Sequence, residues 1–139
     1  MTRRFALVLA LMLAAASSSA AQATPEPDFS RHVFAPELVM KYQQKIGLRP
    51  EQRTAITEVI QQVQSKVVEQ QWRMQDEAQK LGELLQATPV NESAVLAQVD
   101  RVLGIERDVK RAHMTLLIRI KNSLTREQQA ALKALRDST

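Results

Sequence analysis

The sequence predicts an all-α domain: elongated, four-helix, and built around one long antiparallel helical hairpin with a short helix at either end. Three observations carry this. The chain has only three glycines, no cysteine and 4% aromatic residues, which argues against a β-sandwich or barrel, since those need turn residues and bulky strand formers. Ala, Gln, Glu, Leu, Lys and Arg are abundant, and all favour helices. Finally, two long stretches place apolar residues three and four apart, the spacing of one helix face.

The first residues are expected to leave before the fold forms. "MTRR" is basic, "FALVLALMLAAA" is a short apolar run, and Ala21-Gln22-Ala23 fits a small-x-small cleavage site. This is the order of a secretory signal peptide, here residues 1–23. The apolar run is too short to span a bilayer, and no later stretch is apolar enough to insert. Export predicts a periplasmic protein with no stable membrane insertion after cleavage. Losing Arg3 and Arg4 lowers the net charge from +4 to +2, so the high pI is a weak guide to partners. No basic run is dense enough for nucleic acid. Without cysteine, the domain must hold together by packing alone.

Residues 24–35, "TPEPDFSRHVFA", contain two prolines and read as a flexible arm. The single folded domain is expected over 36–139. Pro36-Glu37 opens a short helix that Gly47 ends, with Leu38, Val39, Tyr42 and Ile46 on one side. Pro50 and Glu51 then start a helix of roughly 35 residues. Its stripe is Ile56, Ile60, Val63, Val67, Met74, Ala78, Leu81 and Leu85, interrupted by Gln70. "ATPVNES" is a turn with Asn91 as N-cap. The second long helix follows to about Asn122, with a core stripe of Val102, Ile105, Val109, Ala112, Leu116 and Ile120. The short loop folds the two helices back on each other. Thr125 and Gln128 then form a capping box for a last short helix carrying Ala131, Leu132 and Leu135.

Both long helices carry apolar groups away from the hairpin seam. On the first, Val68 and Trp72 lie opposite the core stripe. Trp72 is the only tryptophan, and tryptophan is favoured at interfaces. On the second, Leu103, Arg107, Lys110, Arg111, Met114, Ile118 and Lys121 share the face opposite the core, with Leu117 beside them. A plainly solvated face would mix acids and bases without large aliphatics. This one interleaves cations with apolar groups, which suits capture of acidic and apolar segments.

Catalytic signatures are missing. No nucleophile–base pair, glycine-rich phosphate loop or metalloprotease spacing occurs, so no catalytic residue and no cofactor is expected. The two histidines, His32 and His113, do not assemble a metal site with Met40, Met74 or Glu106, because three or four ligands must converge. His113 reads as a packed or boundary residue.

One further pattern needs an explanation. "SLTREQQAAL" near the C-terminus echoes "GLRPEQRTAI" near the first long helix. The residues concerned are Leu48, Pro50, Glu51 and Gln52 in one copy, and Leu124, Thr125, Glu127 and Gln128 in the other. Both copies mark helix N-termini. The first has Arg49 in place of threonine, so its helix start leans on Pro50 and Glu51.

The paired L-T-x-x-Q motifs, in this order of helices, resemble the Spy/CpxP family of periplasmic ATP-independent chaperones. That family overlaps with periplasmic heavy-metal sensors and zinc-resistance-associated proteins. The resemblance covers the whole mature chain. It implies an LTxxQ-type fold, a cradle-shaped homodimer and a basic, apolar face that binds unfolded or partly folded envelope proteins. Metal-sensing relatives carry clustered histidines and methionines, which this chain lacks. A metal sensor or resistance protein, and a structural adaptor regulating a membrane partner, are the alternative readings.

Overall fold

A computed structural model describes residues 28–138. The signal peptide expected over residues 1–23 lies outside the described residues. Among the described residues the elements are a 3-10 turn (Ser30–His32) and four α-helices: α1 (Pro36–Tyr42), α2 (Pro50–Leu85), α3 (Glu92–Ser123) and α4 (Arg126–Asp137). No strand occurs among them.

Each boundary follows from local chemistry. Pro36 occupies the first turn of α1, where its missing N–H costs nothing. After α1 the chain makes one more turn and closes with two bonds, Leu48 N–H to the Gln43 carbonyl and Gly47 N–H to the Gln44 carbonyl. This pairing puts Gly47 in the left-handed region, at φ +62°, which glycine tolerates without a Cβ penalty. Asn91 caps α3, its side-chain oxygen accepting from Ala94 N–H at 3.0 Å. Thr125 caps α4 with a full capping box: Gln128 N–H donates to Thr125 Oγ1, and Thr125 N–H donates to Gln128 Oε1. At the start of α2 only half of that arrangement exists. Arg49 N–H donates to Gln52 Oε1 at 3.0 Å, but an arginine side chain has no acceptor to return the bond.

α2 and α3 pack along their length as the antiparallel hairpin. α2 has 36 residues, about 54 Å at 1.5 Å per residue. The main core lies at one end. There Val39 and Ile46 from the α1 region, Ile56 and Val63 from α2, Leu116 and Ile120 from α3, and Leu132 from α4 are buried together with Phe34 and Leu124. Beyond Val63 and Leu116 the hairpin continues without α1 or α4 beside it.

The expected stripe on α2 holds at Ile56 and Val63 and fails at its far end. Leu85 is 53% exposed and Ala78 is exposed, while Glu77 and Leu84 turn partly inward instead. Glu77 and Leu84 continue the seven-residue step of Ile56, Val63 and Gln70 along the seam, and there the Glu77 carbonyl and Oε2 accept from Gln98 Nε2 on α3, at 2.8 and 2.6 Å. Gln70, the interruption in the stripe, is among the most buried side chains of all, at 1%.

Within the segment expected as a flexible arm, the described part is fastened. Arg136 of α4 donates to the carbonyls of Ser30, Arg31 and Val33. Its guanidinium also stacks over the ring of Phe34, 5.8 Å from the centroid. Lys121 Nζ donates to the His32 carbonyl at 2.7 Å.

The two sequence echoes meet in space. Gln52 Nε2 donates to Gln128 Oε1 at 2.7 Å, and Gln128 Nε2 donates back to Gln52 Oε1 at 2.9 Å. Each amide also reaches the carbonyl just before the partner motif: Gln52 to Ser123, Gln128 to Gly47. Each oxygen meanwhile accepts the N-cap N–H of its own helix. All the donors of both amides are used, and each oxygen takes two bonds. The motif leucines Leu48 and Leu124 pack against or within the core beside this pair.

Candidate functional site

The buried interior offers no chemistry. Its buried polar side chains among the described residues are Gln52, Gln70, Gln98 and Gln128, and none of these titrates. No group of three or more His, Cys, Asp or Glu side chains among the described residues could hold a metal ion. His113 is exposed on α3 rather than packed. It stands next to Met114, outside the seam, because the helix turns it past Ala112. No helix among the described residues is long and apolar enough to cross a membrane.

The outer side of α3 is where the surface departs from an ordinary solvated helix. Leu103, Arg107, Lys110, Arg111 and Met114 surround one shallow open hollow of about 440 Å³, with Glu106 on its edge. Leu103 is 52% exposed and Ile118, one turn beyond Met114, is 47% exposed. Arg107 lies 3.4 Å from the carboxylate of its neighbour Asp108, an exposed pair that scarcely restrains it. Lys121 is different. It is half-buried and its ammonium is committed to the His32 carbonyl, so it fastens the N-terminal segment at the end of the ridge.

The ridge also extends further than the sequence suggested. Leu96 is 55% exposed and stands seven residues before Leu103, two helical turns along the same line. That spacing is visible in the sequence, and extending the period backwards would have found it.

A second hollow of about 410 Å³ lies in the seam between the two helices. It is lined by Gln70, Gln71 and Met74 from α2 and by Ile105, Glu106, Val109 and Lys110 from α3. On the opposite side of Ile105 is a more polar hollow, lined by Arg73, Glu77, Arg101, Gly104, Arg107 and Asp108. Hydrogen bonds from Lys80 and Gln98 hold the Glu77 carboxyl below its ordinary range, with the Lys80 and Arg101 charges adding to the effect. This acid therefore stays ionised beside the arginines.

On α2, Val68 and Trp72 are 51% and 67% exposed. They face away from the seam, as their spacing from Val63 and Gln70 requires. Gln61, Gln64, Gln75 and Gln79 flank them on the same outer side and are also exposed. Glu69 and Asp76, one turn either side of Trp72, are exposed along one edge of this side, so the outer side of α2 is apolar with an acidic edge, whereas the α3 ridge is apolar and basic.

No curated protein and no solved structure matches the chain. A family model described as heavy-metal resistance matches residues 5–136, close to the full length. The match covers α1, α2 and α3 whole and α4 as far as Arg136, and the chain belongs to the heavy-metal resistance family.

Proposed function

We propose that this protein is an envelope chaperone of the Spy/CpxP type, exported to the periplasm, that binds partly unfolded proteins without nucleotide. The observation that carries the reading is the α3 ridge. Leu96, Leu103, Met114 and Ile118 alternate with Arg107, Lys110 and Arg111 on a hairpin that runs past its own core. Leu96, Leu103 and Ile118 left exposed in a line, with Met114 half-buried between them, mark an interaction surface rather than scattered exposure. The cations attract acidic stretches of a client from a distance, and the apolar groups then hold it by short-range contact. No single contact is deep, so a client retains freedom to fold while bound.

The test is aggregation of a model client with and without the mature protein. Protection is expected at an equimolar ratio. Changing Arg107 and Arg111 together to Glu should slow capture about tenfold or more at low salt, with the difference shrinking as salt screens the charges. No protection by the wild-type protein would sink the reading.

The family match favours a second reading, in which the protein binds metal in a resistance response. The residues present do not fit a resident metal site: cysteine is lacking, and no cluster of donors converges among the described residues. Calorimetry with zinc, copper and nickel separates the readings. Binding tighter than micromolar that is lost on His113→Ala would reverse their order.

A further inference from the structure

The middle of the hairpin combines three features that each weaken packing. Gln70 is 1% exposed, yet its Nε2 has no hydrogen-bond partner. Its oxygen is already taken, accepting from Arg73 Nη1 at 3.2 Å. Turning the amide over would only set its donors against a guanidinium, which has no acceptor to offer. The donor is thus buried with its hydrogen-bonding capacity unused, the arrangement that native interiors mostly avoid.

Around this point the seam is thin. The two hollows of about 410 and 360 Å³ lie on either side of Ile105. Next to Ile105 is Gly104, whose missing side chain would meet only the end of Arg107, 3.9 Å away. Hydrogen bonds between the helices stand on both sides. Towards the core, Arg119 Nη1 donates to Gln62 Oε1 across the helices. Towards the loop, Gln98 Nε2 is bonded to Glu77. Gln70 and Ile105 fall between them.

We infer that the hairpin has a joint at Gln70 and Ile105, where α2 and α3 part locally while the seam on either side stays closed. Closed, the joint keeps an amide donor unpaired. Open, water reaches that donor, so the opening is favoured here relative to neighbouring turns. Opening also uncovers Ile105, otherwise 3% exposed, together with the walls formed by Met74 and Val109. The joint is a property of the fold and stands whether or not the chain is a chaperone.

Amide hydrogen exchange on the mature chain reads this directly. Segments 67–74 and 102–109 are expected to exchange about tenfold faster than 56–63 and 112–120 on the core side and than 77–81 and 96–100 on the loop side, a difference of about 1.4 kcal/mol in opening free energy. Gln70→Leu, which keeps the bulk and removes the unpaired donor, should slow exchange in the two joint segments about tenfold and leave the flanks unchanged. Gln70→Met, a more adaptable chain, provides the same test if leucine packs poorly. Uniform protection along the wild-type hairpin, or joint exchange that neither variant slows, would overturn the inference.

Discussion

Gln52 and Gln128 explain why a pair of glutamines, 76 residues apart, sits at matching places in two helix starts. As a capping signal alone, each would satisfy one backbone N–H and could be replaced at modest cost. Joined, they satisfy two N-cap donors and two carbonyls as well as each other. The base of the hairpin is tied through them, because one amide belongs to α2 and the other to α4. Removing either leaves several buried polar groups unmatched, each worth about 1–3 kcal/mol. Gln52→Ala and Gln128→Ala are therefore each expected to destabilise by about 3 kcal/mol, read from urea midpoints at constant slope. The double variant should lose less than the sum, by about 0.5–3 kcal/mol, because the second change removes groups already orphaned by the first. Strict additivity would mean that the two amides act as independent caps.

At the scale of the elements, most of the plan was legible in the sequence, and the failures have identifiable causes. Helix starts were readable because proline, asparagine and threonine cap by local chemistry that neighbouring residues cannot change. The inward face of α3 was readable for the same reason, since its apolar period persists from Val102 to Ile120. The far end of α2 was not. There the seam follows the seven-residue step Ile56, Val63, Gln70, Glu77, Leu84 and leaves Ala78 and Leu85 outside, whereas the apolar letters alone favoured Ala78 and Leu85 over Glu77. The burial of Gln70 was hidden likewise, since a polar residue in an apolar stripe looks the same whether it is tolerated at an edge or trapped in a seam. The Arg49 departure, by contrast, was legible and has a measurable consequence. The helix it precedes retains only the Gln52 half of a capping box. Arg49→Thr should restore the other half and stabilise by about 0.5–1 kcal/mol, whereas Thr125→Ala should cost about 1 kcal/mol. Thermal unfolding of the two variants would show opposite shifts. A loss of stability in Arg49→Thr would mean that the arginine holds something other than its helix start.

For the whole molecule, the two outer sides of the hairpin pose different problems. Copies of the chain meet their strongest mutual repulsion along the basic ridge of α3. The outer side of α2 has its acids, Glu69 and Asp76, along one edge. Val68 and Trp72 project there among Gln61, Gln64, Gln75 and Gln79, all uncharged and exposed. Interface cores are depleted of charge and enriched in tryptophan. A homodimer joined along α2 would cover the tryptophan and leave the ridges of both copies facing outward to clients, with doubled positive charge to draw acidic segments in. On this arrangement Trp72→Glu buries a charge in each half of the seam and should shift the protein from dimer to monomer in sedimentation, while helix content stays near wild type. Because Trp72 is the only tryptophan, its emission gives an independent reading. Dilution through the dissociation range should move the wild-type emission to longer wavelength, whereas saturating client at constant protein should leave it unmoved. If client shifts the emission and dilution does not, Trp72 belongs to the client surface and the seam between copies lies elsewhere on the hairpin.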